Sequence, residues 1–275
     1  WYECTSHHFV LAITPLSVAQ KFSELLEERK GTWVFTSATL SVDHKLEYFT
    51  QRLGLDAAKS LLLASPFDYE HQTLLCVPRY IPSPNEPNSA VKLAEILLPV
   101  VEANNGRCFF LCTSYAMMNA LAEEFRKSLT LPILVQGETS KVKLLEQFID
   151  KGNALLIATS SFWEGVDVRG DTLSCVIIDK LPFSSPDEPL LKARMEDCQL
   201  QGGDPFAEVQ IPEAVITLKQ GVGRLIRDHQ DRGVIIICDN RLVMRPYGST
   251  FLNSLPPSPR TRDVEKVIQF LTQKS

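Results

Sequence analysis

The 275-residue sequence predicts an α/β fold, a doubly wound parallel sheet with helices on both faces. Three observations predict it. Short apolar runs recur along the chain and alternate with segments of helical periodicity. Several runs, such as VIIIC (234–238), are apolar at every position, which marks strands covered on both sides. The stretches between runs are long enough for the crossover helices that parallel strands require.

Taken in order, HFVLAIT (8–14) and TWVFTSA (32–38) read as the first strands. Between them lies the helix SVAQKFSELLEERKG, with Ser17 and Gln20 spaced as a capping box and Gly31 as the stop. LLCV (74–77), RCFFLCT (107–113), ILVQ (133–136), ALLIAT (154–159), CVIID (175–179) and VIIIC (234–238) supply the remaining strands. The helices are NSAVKLAEILLPVVEANNG, where Pro99 is a potential kink, then SYAMMNALAEEFRKS, SKVKLLEQFIDKG and PEAVITLKQGVGRLIRD. A proline-rich connector, LPPSPRTR (255–262), leads to a last helix carrying Val264, Val267, Ile268 and Leu271 on one stripe. The expected boundary is the turn-rich SPFDYEHQ: residues 1–64 hold too few elements for a domain, and residues 65–275 form a complete α/β unit.

Net charge is −5, so nucleic-acid contact has to be local and not a property of the whole surface. No apolar run is long enough to span a membrane, and WYECTSHH lacks both the charged segment of a signal peptide and an initiator Met. The expectation is a cytoplasmic piece of a longer protein. The seven cysteines are scattered, with no CxxC pair and no Cys/His cluster, so they read as small buried hydrophobes in a reducing compartment, and no metal site is expected.

In an open α/β sheet, function belongs at the carboxyl ends of strands. There the sequence places TSY (113–115), SSFWEGVDVRG (160–170), TSATLS (36–41) and KLPFSSPDEP after their strands. Thr113, Ser114, Ser160 and Ser161 suit phosphate contacts, and Phe162 and Trp163 suit base stacking; the alternative for the two aromatics is packing beneath the loop. In QGVGRLIRD, Gln220, Arg224 and Arg227 stand at i, i+4 and i+7, within roughly 60° on a helix. Gly221 and Gly223 leave the neighbouring surface bare, as a planar or multiply anionic group would need. The alternative is a pair of surface ion pairs, Arg224–Asp228 and Arg227–Asp231.

VFTSATL, ASPF, SSFWEGVDVRG, IIDKLPFSSPDEP, QGVGRLIRD and CDNRL occur in this order. Together they resemble motifs III to VI of the superfamily 2 helicases of the XPD/DinG group, over essentially the whole chain. The resemblance implies an ATP-dependent 5′-to-3′ DNA helicase acting in replication and repair, with two RecA-like motor domains. Residues 65–275 would be RecA-like motor domain 2, and residues 1–64 a remnant of motor domain 1. Gln220, Arg224 and Arg227, with Gly223 between them, would match motif VI, the two arginines acting as arginine fingers. Glu164, Gly165 and Asp167 would match motif V, which links nucleotide to DNA. Ser37 and Thr39 would match motif III, the coupling element. Single-stranded DNA contacts would come from Thr113, Ser114, Tyr115, Ser160, Ser161, Phe162 and Trp163.

The chain lacks the other half of such a motor. None of its 13 glycines is followed by Lys, so there is no GxxxxGK[ST], and DEPL (187–190) precedes a helix instead of following a strand. The resemblance implies that ATP and Mg bind in the full-length protein and that an iron–sulphur cluster sits in its N-terminal part, with neither held by this piece alone, which is expected to be inactive as an ATPase. Expected partners are single-stranded DNA, motor domain 1 of the same protein and the chi subunit (HolC) of the DNA polymerase III holoenzyme, and the expected setting is the bacterial nucleoid. For a protein partner the candidate surface is the tail, Arg260, Thr261 and Arg262 with Val264 and Ile268; the alternative is that its apolar stripe packs on its own domain. A small-molecule α/β enzyme, such as a glycosyltransferase, would need a cofactor loop or a Ser/His/Asp arrangement, and neither GxGxxG nor such a triad is evident.

Overall fold

A computed structural model describes residues 1–4, 6–29, 31–84, 86–159, 162, 172–185 and 187–273. The chain divides into two compact units: Trp1–Leu63 with Phe183–Ile216, and Ala64–Pro182 with Thr217–Ser275.

In the first unit, β1 (Tyr2–Cys4) and β2 (Phe9–Leu11) form an antiparallel hairpin with Tyr2 opposite Leu11. The expected strand at 8–14 is therefore only three residues long. Helices α1 (Ala19–Glu28) and α2 (Glu47–Leu53) follow. The Ser17/Gln20 capping box does not form, because the helix starts at Ala19 with Val18 as its N-cap. Ser17 sits one position too early, and Gln20 bonds forward to Glu24 at 2.9 Å. The expected strand at 32–38 is also absent. A strand exists only through a ladder partner, and among the described residues none lies alongside. Phe35 instead packs near Phe22, Trp33 and Phe49, with ring centroids 5.8–6.5 Å apart. A polar centre holds this unit together: Glu213 Oε1 accepts from Arg52 Nη1 at 3.1 Å, Arg194 Nη1 at 3.3 Å and Tyr48 Oη at 3.4 Å. Burial, followed by the nearby Glu213 charge, pushes the Tyr48 phenol up to about 12.

The second unit is a seven-stranded, all-parallel sheet made of β3 (Thr73–Cys76), β4 (Cys108–Cys112), β5 (Ile133–Val135), β6 (Leu155–Thr159), β7 (Cys175–Ile178), β8 (Gly233–Ile237) and β9 (Arg260–Thr261). The strand order is β5-β6-β4-β7-β8-β3-β9. Every residue of β4, β6, β7 and β8 is buried, as their unbroken apolar runs require. Alternation along β4 shows both faces at once. Phe110 meets Phe125 of α5 (Tyr115–Ser128) at 6.0 Å, while its neighbour Phe109 meets Phe148 of α6 (Lys141–Lys151) at 4.7 Å. Helix α4 (Ser89–Ala103) runs through Pro99 and packs with α5 and with α11 (Val264–Thr272); α3 (Tyr69–Gln72), α9 (Arg241–Met244) and α10 (Gly248–Ser254) are short, and α7 (Pro189–Leu200) belongs to the first unit. The turn from α4 into β4 needs Gly106: its φ is +72°, and a Cβ there would lie 2.6 Å from the Asn153 backbone.

Among the described residues no helix is long and apolar enough to cross a membrane.

Candidate functional site

Because all seven strands are parallel, their carboxyl ends lie on one edge. The first polar residue to close three of the apolar runs, Asp179, Asp239 and Gln136, organises that edge. Asp179 follows β7 and is 3% exposed. Its Oδ1 accepts from the backbone N–H of Thr113 at 3.0 Å and of Lys180 at 2.8 Å, and its Oδ2 accepts from the Thr113 hydroxyl at 3.1 Å. Burial raises the Asp179 carboxyl from its ordinary 3.8 to about 6, against the pull of the Thr113 bonds. Thr113 is thereby fixed, and next to it Ser114 caps α5, its Oγ accepting from Met117 N–H at 3.3 Å. Tyr115 then stands at the start of the helix, 58% exposed.

Asp239 does the same work after β8. Its carboxylate is 1% exposed and takes the Leu181 N–H at 2.9 Å and a forked contact from Arg241 at 2.6–3.1 Å. This ties LPF, leaving β7, to NRL, leaving β8. The same carboxylate holds the Arg241 guanidinium charged by raising its pKa. After β5, Gln136 Oε1 accepts from the N–H and hydroxyl of Thr159 at the end of β6, at 2.7 and 3.0 Å.

QGVGRLIRD adopts a local structure other than the expected one. Helix α8 (Ile211–Val222) ends before the arginines, so Gln220 is helical while Arg224 and Arg227 follow in a turn. The i, i+4, i+7 stripe therefore does not form. The reason is visible in the sequence. Gly221 and Gly223 weaken the helix, and Leu225 and Ile226, 3% and 6% exposed, must both enter the core although they are adjacent. A helix would point them 100° apart; the turn buries both. Leu225 packs on Gly233, where a Cβ would come within 2.6 Å of its side chain. The flanking Arg224 and Arg227 are then half-buried, with their Nε atoms shielded from water. Burial lowers the Arg227 pKa, opposed by Asp231. The Asp231 carboxylate caps the turn itself, accepting from the N–H groups of Arg227 and Asp228 at 2.7 and 2.8 Å.

Ser160, Ser161, Trp163, Glu164, Gly165 and Asp167 lie outside the described residues. Phe162 is 2% exposed, with the Lys141 ammonium 5.2 Å above its ring. In this arrangement the Phe162 ring presents no open face. Ser37 and Thr39 are half to fully exposed in the first unit, their hydroxyls 3.5 Å apart. In the tail, Arg260 and Thr261 form the edge strand β9 against β3. Val264 and Ile268 pack on the domain's own core around Val267. Arg262 Nη2 donates to Asn240 Oδ1 at 2.6 Å and its Nε to the Val77 carbonyl at 3.3 Å. With Arg79, Arg260, Asp263 and Lys266, and with Leu75 and Val243, it lines a cavity of about 310 Å³.

Sequence reading passed over Asp179, Asp239, Arg241 and Gln136. The signal was present, since Asp179, Asp239 and Gln136 are each the first polar residue to close an apolar run (CVIID, VIIICD, ILVQ).

A seven-stranded parallel sheet flanked by helices is the architecture of a RecA-like helicase domain; here Asp179, Asp239, Arg241 and Arg262 collect at its carboxyl edge, whereas the turn bearing Arg224 and Arg227 packs beside Gly233 and Gln72, at the amino ends of β8 and β3. The helicase C-terminal domain family matches residues 97–258, and the chain belongs to that family. Its similarity narrows further. The chain is 71% identical over 271 residues to the ATP-dependent DNA helicase YoaA of Escherichia coli (strain K12), which covers 98% of this chain and 43% of that protein. It is 36% identical over 276 residues to the ATP-dependent helicase DinG of Mycobacterium tuberculosis, covering 97% of this chain and 41% of that protein. The chain thus spans less than half the length of these relatives. A solved XPD structure in its apo form shares the fold with a TM-score of 0.59 at 21% identity, over 79% of this chain and 46% of that one.

Proposed function

We propose that this chain is the C-terminal motor portion of an ATP-dependent 5′-to-3′ DNA helicase of the YoaA/DinG type, acting in replication and repair. In this reading residues 65–275 are motor domain 2 and residues 1–64 close motor domain 1, most of which lies outside the chain. The observation that carries it is the turn after α8. Burial of Leu225 and Ile226 holds Arg224 and Arg227 at a fixed position, and burial destabilises the Arg227 cation. A half-buried guanidinium gains more from an arriving anion than a fully solvated one. Two such groups suit a nucleotide's phosphates, with Gln220 beside them at the end of α8. ATP, with Mg, supplies the phosphoryl group whose transfer drives the motor. What this chain adds is positive charge on that group; an arginine finger contributes ~10³–10⁵ in turnover. Thr113, fixed through Asp179, faces the single strand with Ser114 and Tyr115 beside it, and Glu164, Gly165 and Asp167 link it to the nucleotide. Ser37 and Thr39 couple the two.

Without a GxxxxGK[ST] loop the chain alone should not turn over ATP. The test is ATP hydrolysis by this chain with and without single-stranded DNA, with Arg224→Ala as the control for contaminating ATPase. Background turnover equal in both fits half a motor. Robust turnover lost in Arg224→Ala would overturn the reading.

A second reading, compatible with the first, is a docking module for a replication protein such as the chi subunit of DNA polymerase III. It is favoured by a cavity lined by Arg79, Arg260, Arg262 and Lys266, against the single acidic Asp263, together with Leu75, Val243 and Leu252, on a chain of net charge −5. Such a lining suits an acidic partner surface carrying an apolar anchor. Val264 and Ile268 serve it by seating α11.

A further inference from the structure

Gln136 occupies a position that neither the sequence motifs nor the arginine turn explains. Strand β5 stops at Val135, and Gln136 N–H makes the last ladder bond, to Ile157 O at 3.0 Å. At Gly137 φ is +98°, a conformation glycine adopts without strain, and the chain turns away. Strand β6 continues for two more residues and would leave the Thr159 N–H without a ladder partner. The Gln136 side chain takes the place of the missing strand residue. A backbone N–H can only donate, so the amide oxygen must face Thr159. That fixes the other end of the amide: Gln136 Nε2 donates to Tyr115 Oη at 3.1 Å. The ends of β4, β5 and β6 are thus joined through one amide, and the most exposed aromatic at the β4 exit is held at its hydroxyl.

We propose that Gln136 is a positioning residue for DNA engagement, holding the Tyr115 ring in a fixed orientation as a stacking face for one base of single-stranded DNA. This inference rests on the reading that the Thr113–Tyr115 edge takes the single strand. An aromatic on a surface helix ordinarily samples several rotamers. A tethered ring has paid that entropy before the base arrives, and stacking on an aromatic is sequence-tolerant because every base has a π-face. The tether acts through the phenol oxygen, so it leaves the ring faces clear.

The test measures binding of a labelled oligothymidylate by fluorescence anisotropy, in the full-length helicase of which we propose this chain is the C-terminal part. Four variants are compared: Tyr115→Ala, Tyr115→Phe, Gln136→Leu and the Tyr115→Phe/Gln136→Leu double. Tyr115→Ala should weaken binding about fivefold or more, the loss of one stacked base. Gln136→Leu and Tyr115→Phe should each weaken it by about two- to fivefold, and the double no further than either single, because each removes the same tether. A Gln136→Leu loss that multiplies with that of Tyr115→Phe would overturn the proposal, since a merely structural Gln136 would act independently of the phenol. Undiminished binding by Tyr115→Phe would overturn it as well, and this variant keeps the question decidable if Gln136→Leu fails to fold. If Tyr115→Ala itself binds normally, the edge does not take the strand there, and both the inference and the reading beneath it fall. Weak binding by Tyr115→Ala with normal binding by Gln136→Leu would overturn the inference alone.

Discussion

Asp179→Asn isolates the cost of keeping a carboxylate at the sheet edge. Asp179 is buried, and its pKa rises from 3.8 to about 6, chiefly through desolvation. A folded pKa above the unfolded one means the native state holds the extra proton between roughly pH 4 and 6. The stabilisation from that proton is therefore fully present in acid and is lost as pH rises through about 6. With these two values, going from pH 5 to pH 7.5 removes about 1.4 kcal/mol from this group alone. Asparagine has no such dependence, and the site can accept it. Its oxygen in the Oδ1 position keeps the N–H groups of Thr113 and Lys180, and its amide nitrogen in the Oδ2 position donates to a Thr113 hydroxyl that has turned to accept. Urea unfolding followed by far-ultraviolet circular dichroism at pH 5 and 7.5 should show the parent losing about 1.4 kcal/mol more than Asp179→Asn between the two. All other titrating groups cancel in that difference. Parallel pH dependence in the two proteins would refute the assignment. So would a loss of more than about 2 kcal/mol in the variant at pH 7.5, because the hydrogen bonds would then depend on the charge.

Three further outcomes follow from the packing. Leu225→Ala should cost about 2–5 kcal/mol, as for other fully buried leucines, and should loosen the turn bearing Arg224 and Arg227, read as faster hydrogen exchange at the Arg227 and Asp228 amides. Asp239→Ala should cost about 3–5 kcal/mol by thermal or urea unfolding, since it strands the Leu181 N–H and leaves the half-buried Arg241 cation without its carboxylate. On the proposed docking reading, Arg260→Glu, on an exposed edge-strand position, should leave the melting temperature within about a degree or two while weakening capture of the proposed chi-subunit partner. Deleting the tail after Leu255 would not separate these effects, because Val267 of α11 is fully buried in the core.

How much of this was legible beforehand depends on how local each cause is. The runs 108–112, 155–159, 175–178 and 233–237 were readable because burial on both faces leaves an unbroken apolar signature within the strand itself. TWVFTSA carries a similar signature and forms no strand, because pairing depends on a neighbour that the segment does not encode. QGVGRLIRD reads as helix by charge spacing, but the adjacent Leu225 and Ile226 outweigh the periodicity: burying both is worth more than a few further helical hydrogen bonds. What fails to form is the i, i+4, i+7 grouping of Gln220, Arg224 and Arg227. Gln136 illustrates the opposite case. Its type and place at the end of ILVQ are local facts, but its bonds to Thr159 and Tyr115 arise only when three strands assemble.

The central claim is that Arg224 belongs to a nucleotide-facing turn and not to an ordinary surface. Its most direct test is steady-state ATP turnover by the full-length helicase in saturating single-stranded DNA, comparing the parent with Arg224→Ala and measuring DNA affinity in parallel. Turnover should fall by ~10³ or more while DNA affinity stays within a few-fold. Near-normal turnover in Arg224→Ala would contradict the account.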